Sequence, residues 1–304
     1  MKRYAAIDVG TNTILLLIAD QTPEGSLQTV VDLETTTRLG EGLIGTCVIN
    51  VHAMQKSIDV IDSYLSLCSD MGVTKVVAVG TSSLREARNR SEFLRRVKRR
   101  CGLEIEIISG REEARLSYLA VTKDKKWSSG PLVVIDIGGG STEWIYGDAL
   151  GGVRVFSLNL GSVTLTELFL TSDPIEEREY QAMTSHVRKL LINIPLLKGN
   201  PPLVGIGGTI TALFSVKQGL REFNPSRIHH GLLKLRDIEG QIELFKTLPL
   251  KGRKAIAGLP PERADVIIAG ATILLHSLLR LGSNRTWVSC HGLRYGILFE
   301  RFFK

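Results

Sequence analysis

Two stretches of the chain carry one pattern of apolar and polar positions. Tyr4–Ile18 reads YAAIDVGTNTILLLI and Leu132–Tyr146 reads LVVIDIGGGSTEWIY. Each is an apolar, β-branched-rich run that ends in an aspartate, crosses a glycine-containing turn and resumes as a second strand-like run. They align without a gap, Asp8 on Asp136, and so predict two related units. Further strands are expected at Leu27–Leu33, Lys75–Val79, Leu103–Ile108, Val153–Leu158 and Thr286–Ser289, and one runs from Leu203 into the turn Gly205-Ile-Gly-Gly-Thr209. Between them the apolar spacing becomes helical. Val51–Met71 is a long amphipathic helix. Ser91 is the expected N-cap of a helix to about Arg100, and Ser109-Gly-Arg-Glu112 has the form of a capping box opening a helix to about Val121. Helices follow at Ser162–Phe169 and Ile175–Ile194, the latter ended by Pro195. Mixed strand and helix throughout predicts an α/β fold. The polar, basic stretch Thr122–Gly130 is the expected boundary, giving domains of residues 1–124 and 125–292.

Charge narrows the partner. Over 304 residues the net charge is +7, which favours an anionic partner. The four cysteines are scattered without a Cys-x-x-Cys pair, which reads as reduced thiols in a cytoplasmic protein. No apolar run approaches the ~20 residues of a membrane span, and Asp8, Asn12 and Asp20 interrupt the N-terminal one.

The turns Asp8–Thr13, Asp136–Glu143 and Gly205–Thr209 share one chemistry. Glycine lets a ligand approach the backbone, and successive N–H groups in such turns make an anion nest. Thr11, Thr13, Ser141, Thr142 and Thr209 add hydroxyl donors. An aspartate at the end of the preceding strand would repel phosphate directly but can hold hydrated Mg²⁺ over phosphate oxygens. Neither a dinucleotide fingerprint nor a Walker loop is present. Matched Asp-turn-strand units therefore point to a phosphoryl site.

These motifs resemble the acetate and sugar kinase/Hsp70/actin superfamily, and within it the exopolyphosphatase/guanosine pentaphosphate phosphohydrolase branch. Gly80-Thr-Ser-Ser-Leu-Arg-Glu-Ala-Arg-Asn89, Ile108-Ser-Gly-Arg-Glu-Glu-Ala-Arg115, Leu160-Gly-Ser-Val-Thr-Leu-Thr-Glu167, Pro261-Glu-Arg-Ala-Asp265 and Gly292-Leu-Arg-Tyr-Gly296 extend the likeness from Ile7 to Gly296. Thr13 and Gly80 depart from the usual serine and alanine. The resemblance implies two ribonuclease-H-like (actin-like ATPase) domains with an inter-domain active-site cleft, and a C-terminal helix, residues 293–304, packed back on the first. It implies hydrolysis of a phosphoanhydride bond, releasing terminal orthophosphate from inorganic polyphosphate or the 5′ γ-phosphate of guanosine pentaphosphate. Mg²⁺ or another divalent cation is the expected cofactor. No specific nucleic acid and no membrane are expected as partners; a homodimer is allowed. Long family members carry a further helical region, and without it strong processive handling of very long chains is not expected. A kinase of the same superfamily and a non-catalytic polyphosphate or alarmone sensor are the alternatives.

Of the paired Glu112 and Glu113, a capping role accounts for Glu112 and leaves Glu113 unassigned; the resemblance makes Glu113 the general base. Asp136, Glu143 and Asp8 are the candidate metal ligands, with an exposed strand charge as the plain alternative for Glu143. Thr11, Asn12, Thr13, Ser83, Arg85, Gly138, Gly139, Gly140, Ser141, Gly208 and Thr209 are the candidate substrate contacts, Arg85 by forking onto phosphate. The basic run from Arg88 to Arg100 reads first as a solvated helix face and second as an electrostatic funnel. His229, His230 and His291 lack metal-ligand spacing, and Arg263 and Asp265 read as helix-capping residues.

Overall fold

In this computed structural model, alternate residues of the first strand feed two different cores. Residues 2–148, 151–196, 199 and 201–303 are described. On β1 (Arg3–Val9), Ala5, Ile7 and Val9 join one apolar cluster while Tyr4 and Ala6 join another. On β2 (Thr13–Gln21), Ile14, Leu16 and Ile18 divide in the same way from Leu17 and Ala19. A sheet covered on both faces reads as a continuous apolar run, which explains why these strands do not alternate.

The chain forms two compact units, residues 1–123 with 291–304, and residues 124–290. The first contains β3 (Leu27–Thr36), β4 (Lys75–Gly80) and β5 (Ile105–Ile107), in the order β3-β2-β1-β4-β5. β1, β4 and β5 run parallel, and β2 and β3 are antiparallel to their neighbours. One face carries α1 (Val51–Asp70) and α2 (Arg90–Cys101). The other carries α3 (Gly110–Thr122) and the C-terminal helix Leu293–Phe302. That last helix approaches α3 so closely that a Cβ on Gly296 would stand 2.0 Å from the Leu116 carbonyl oxygen.

The second unit repeats the scheme with β6 (Leu132–Ile137), β7 (Thr142–Gly147), β8 (Val153–Leu158), β9 (Leu203–Ile206), β10 (Leu232–Lys234) and β11 (Arg285–Val288), ordered β10-β11-β9-β6-β7-β8. The helices are α4 (Ser162–Phe169), α5 (Glu177–Leu191), α6 (Gly208–Gln218), α7 (Leu235–Thr247), α8 (Ile267–Leu281) and, in the first unit, α9 (Leu293–Phe302). Single-turn helices are left unlabelled. With β10 set aside, both units have the strand order 3-2-1-4-5, which is ribonuclease-H-like. Both first hairpins close with the same hydrogen bond: Gly10 N–H to Thr13 O at 3.0 Å and Gly138 N–H to Ser141 O at 2.9 Å. A Cβ on either glycine would lie 2.9–3.0 Å from that carbonyl.

Some local expectations change. Helix α2 begins after Asn89, not Ser91, and Asn89 does not cap it, because its side chain is bonded to both the N–H and C=O of Ile49. Only half of the Ser109 box forms: Ser109 accepts from Glu112 N–H, while the Glu112 carboxylate takes Arg115 in two bonds. Helix α5 starts two residues late, at a Glu176/Glu179 capping box, and ends four residues before Pro195. Strand β10 is an addition, three residues being too short for a periodic signal.

Candidate active site

In open α/β sheets, ligands gather at the carboxyl ends of parallel strands. In the first unit those ends are Val9, Gly80 and Ile107, and the segments that follow hold most of that unit's candidates. Thr11–Thr13 leave β1, Ser83 and Arg85 leave β4, and Glu113 lies in the first turn of α3, just after β5. Thr81 N–H bonds to Val9 O at 3.2 Å and Ile108 N–H to Gly80 O at 3.1 Å, so backbone bonds hold these segments together. Asn12 Nδ2, Ser83 Oγ, Thr36 Oγ1 and Thr37 Oγ1 are buried here without a hydrogen-bond partner. Buried polar groups are ordinarily paired, and these four gather at the end of the sheet where ligands bind in such folds. Asn12 and Ser83 were expected; Thr36 and Thr37 were not.

Glu113 is largely buried, and its Oε2 accepts from Arg85 Nη1 at 2.7 Å. The same Nη1 donates to Ile108 O at 3.1 Å. Arg85, expected to fork onto phosphate, therefore holds the Glu113 carboxylate through Nη1. Burial pushes the Glu113 carboxyl above the ordinary carboxylate range, while neighbouring Arg85 favours the anion. A base must be deprotonated, so activity that needs Glu113 rises with pH through its raised pKa. Arg85→Gln removes the favourable charge. The acidic limb of kcat/KM is expected to move ~1 pH unit higher; a limb that stays in place in a pH–rate profile would dissociate Arg85 from the base.

In the second unit, Asp136 on β6 is directly opposite Glu143 on β7, and Glu143 is opposite Ser157 on β8. This makes one row across three strands. Glu143 is 1% exposed, which removes the exposed-strand-charge reading, and its Oε1 accepts from Ser157 Oγ at 2.8 Å. The matching row in the first unit is Asp8, Leu15 and Glu34. Asp8 is buried, but its cross-strand partner is apolar, so only the second unit pairs two carboxylates at this level. Two adjacent carboxylates are an all-oxygen donor set, which suits a hard divalent cation.

Gly138, Gly139 and Gly140 remain partly exposed at their turn, while Ser141 is buried. Thr142, expected as a ligand donor, instead gives its hydroxyl to Leu160 O. The turn's carbonyls face α4: Ser162 N–H bonds Gly138 O at 3.0 Å and Val163 N–H bonds Gly139 O at 2.9 Å. A Cβ on Gly161 would be 2.1 Å from Gly139 O and 2.4 Å from the Gly140 carbonyl carbon. Gly161→Ala must therefore displace the turn itself. It should cost about 1–3 kcal/mol of stability and raise KM about tenfold or more; unchanged melting and KM would show that the turn yields freely.

The third turn adjoins the second. A Cβ on Gly207, whose φ is +93°, would stand 2.8 Å from Ile137 O and 3.3 Å from Asp136 Oδ1. Over the next residue lies an unexpected cation: a Cβ on Gly208 would be 2.0 Å from Arg263 Cζ. Arg263 is thus buried against the turn rather than capping a helix, while Asp265 Oδ1 accepts Val266 N–H at the start of α8. Thr209 is buried beneath.

Three other features resolve differently. On α2, Arg96 pairs with Glu92, Lys98 with Glu104, and Arg100 with Asp59 and Asp62, so the solvated-face reading fits the basic run. His229 and His230 each place Nε2 within 2.7 Å of Asp124 Oδ2, a partner over a hundred residues away that local spacing could not reveal. His229 Nδ1 accepts Cys290 N–H at 3.1 Å, which fixes the neutral ring's proton on Nε2 and leaves no lone pair there for a metal. His291 stacks on Tyr295.

An arginine-paired carboxylate at the sheet edge of one unit and a paired-carboxylate, glycine-rich edge in the other suit a phosphoryl-transfer protein of the ribonuclease-H-like class. The chain belongs to the Ppx/GppA phosphatase family, whose model matches residues 17–303. It is 32% identical to exopolyphosphatase 2 of Mycobacterium tuberculosis over 98% of both chains. It is also 32% identical to a guanosine-5'-triphosphate,3'-diphosphate pyrophosphatase of Vibrio vulnificus, covering 98% of this chain but 59% of that protein. The crystal structure of the Aquifex aeolicus Ppx/GppA family member superposes with a TM-score of 0.82 at 35% identity, over 98% of this chain and 97% of that one. Among the described residues no helix is long and apolar enough to cross a membrane.

Proposed function

We propose that this protein hydrolyses a terminal phosphoanhydride bond, releasing orthophosphate from inorganic polyphosphate, the 5′ γ-phosphate of guanosine pentaphosphate, or both. The observation that carries the reading is the largely buried Glu113, raised in pKa and steadied by Arg85 at the carboxyl end of the parallel strands β1, β4 and β5. The names of the Mycobacterium and Vibrio relatives support the two substrates.

In this reading Glu113 accepts the proton of a water attacking the terminal phosphorus. Arg85 keeps that carboxylate oriented and offers its remaining N–H groups to the phosphate. The turns at residues 10–13, 138–141 and 207–209 supply backbone and side-chain donors to the phosphate oxygens. Asp136 and Glu143 would hold Mg²⁺ or another divalent cation, with Ser157 fixing Glu143; Asp8 would act through water. When bound, the cation neutralises charge on the phosphate chain. In this reading Glu113, of the first unit, and Asp136 and Glu143, of the second, serve one reaction. Glu113 and Asp136 variants should then fail in the same reaction.

Phosphate release from polyphosphates of graded length and from guanosine pentaphosphate, with Mg²⁺ and with chelator, tests the reading. Orthophosphate formed without a phosphorylated co-product supports hydrolysis. A phosphorylated acceptor would make the protein a kinase, and tight binding without turnover would make it a sensor.

A further inference from the structure

The two glycine-rich hairpin turns are covered in different ways, and the difference points to one arginine. In the second unit the cover is the N-terminus of α4, whose hydroxyls are spent on the turn: Ser162 Oγ donates to Gly138 O at 3.3 Å and Thr164 Oγ1 to Gly140 O at 3.5 Å. In the first unit the cover is the segment Thr37–Gly40, leaving β3 at the topologically equivalent place. Thr37 N–H and Arg38 N–H both donate to Asn12 O, at 3.0 and 2.9 Å, and Gly40 N–H donates to Thr11 O at 2.9 Å. Here the hydroxyl is not spent: Thr37 Oγ1 is buried without a hydrogen-bond partner, as is the amide nitrogen of Asn12 beside it.

Arg38 sits in this cover with φ +55°. Among the described residues only Cys47 and His230 share a positive φ without being glycine. A side chain in the left-handed region strains the backbone, and such strain concentrates at functional sites. Thr37 and Leu39 on either side are buried, and Leu39 is part of the core, so the segment is pinned and Arg38 is the partly exposed residue between them. A strained arginine bonded through its backbone to an anion-binding turn, with orphaned polar groups underneath, has the chemistry of a phosphate clamp.

We propose that Arg38 is a further phosphate-chain ligand, presented beside Asn12 by the left-handed backbone of the Thr37–Gly40 cover. The assignment rests on the phosphohydrolase reading and adds a contact that the sequence pattern did not single out. Glycine relieves the backbone strain while removing the guanidinium, so binding and stability should move in opposite directions.

The test is calorimetric titration of the full-length protein with inorganic tripolyphosphate and Mg²⁺, beside thermal melting. Arg38→Gly is expected to weaken binding about tenfold or more with a melting temperature unchanged or higher. Arg38→Lys, which keeps the charge but loses the fork, should fall between. Arg95→Gln, a change of one positive charge on α2, should bind as wild type. Binding by Arg38→Gly within twofold of wild type overturns the assignment. So does a melting temperature that falls together with binding, because Arg38 is then structural. So does an equal loss in Arg95→Gln, because net charge alone is then responsible. If wild type neither binds nor hydrolyses tripolyphosphate or longer chains, the phosphohydrolase reading fails first and the Arg38 assignment falls with it.

Discussion

Glu113→Gln is expected to reduce kcat for phosphate release by about 10²–10⁴, the usual contribution of a positioned general base, while leaving the fold intact. The amide is nearly isosteric, and its oxygen can still accept from Arg85 Nη1, now 2.7 Å from the carboxylate. Arg85 does lose its counter-charge. Because that pair is partly open to solvent, the stability loss should be smaller than for a fully buried ion pair. Substrate affinity should hold or improve, since a negative charge has been removed beside a polyanion. This combination separates a base from a binding residue: lost turnover with retained binding is the signature of a group needed only in the transition state. Glu113→Asp, which draws the carboxylate back by one methylene, should lie between the two. Steady-state rates beside tripolyphosphate titration measure both quantities. Turnover of Glu113→Gln within about threefold of wild type would remove Glu113 from the chemistry.

What the sequence revealed here, and what it hid, follows from the range of each interaction. The paired hairpins were readable because Asp8 and Asp136 sit in matching local patterns, and the same Gly-to-fourth-residue hydrogen bond closes both. Glu113 stood out because a local capping argument disposed of its neighbour, even though Glu112 in the end prefers Arg115 to the cap. The rest depended on register and on packing over long sequence separations. Nothing near Glu143 announces that Ser157 will lie across from it, although the ungapped repeat already sets Leu15 at the equivalent position of the first unit. Arg263 looked like a capping residue because its position over Gly208 depends on how the segment before α8 packs against a turn more than fifty residues earlier. Asp124 and the two histidines were separated in the same way. Backbone strain at Arg38 is invisible in a residue type that ordinarily avoids it.

Removing Asp136 should reverse the effect of metal on phosphate affinity. Under the proposed assignment, the Asp136 and Glu143 carboxylates oppose binding of a polyanion when no divalent cation is present. With Mg²⁺ that repulsion becomes attraction through the ion. Asp136→Ala relieves part of the repulsion and also removes a ligand. The variant should therefore bind a non-hydrolysable imido-tripolyphosphate more tightly than wild type when metal is absent, and more weakly when Mg²⁺ is saturating. Hydrolysis should drop by roughly 10² or more, several kcal/mol of transition-state stabilisation. The fold should survive, because the turn is closed by the Gly138–Ser141 backbone bond and by the carbonyl contacts to α4, none of which uses the carboxylate. Glu143 keeps its bond to Ser157, so any residual metal response in Asp136→Ala reports on Glu143. Titration of the analogue into both proteins, with and without Mg²⁺, gives the four affinities. A crossing of the two proteins' affinities assigns Asp136 to the cation; an equal Mg²⁺ dependence in both would make it a turn residue and leave the metal to other ligands.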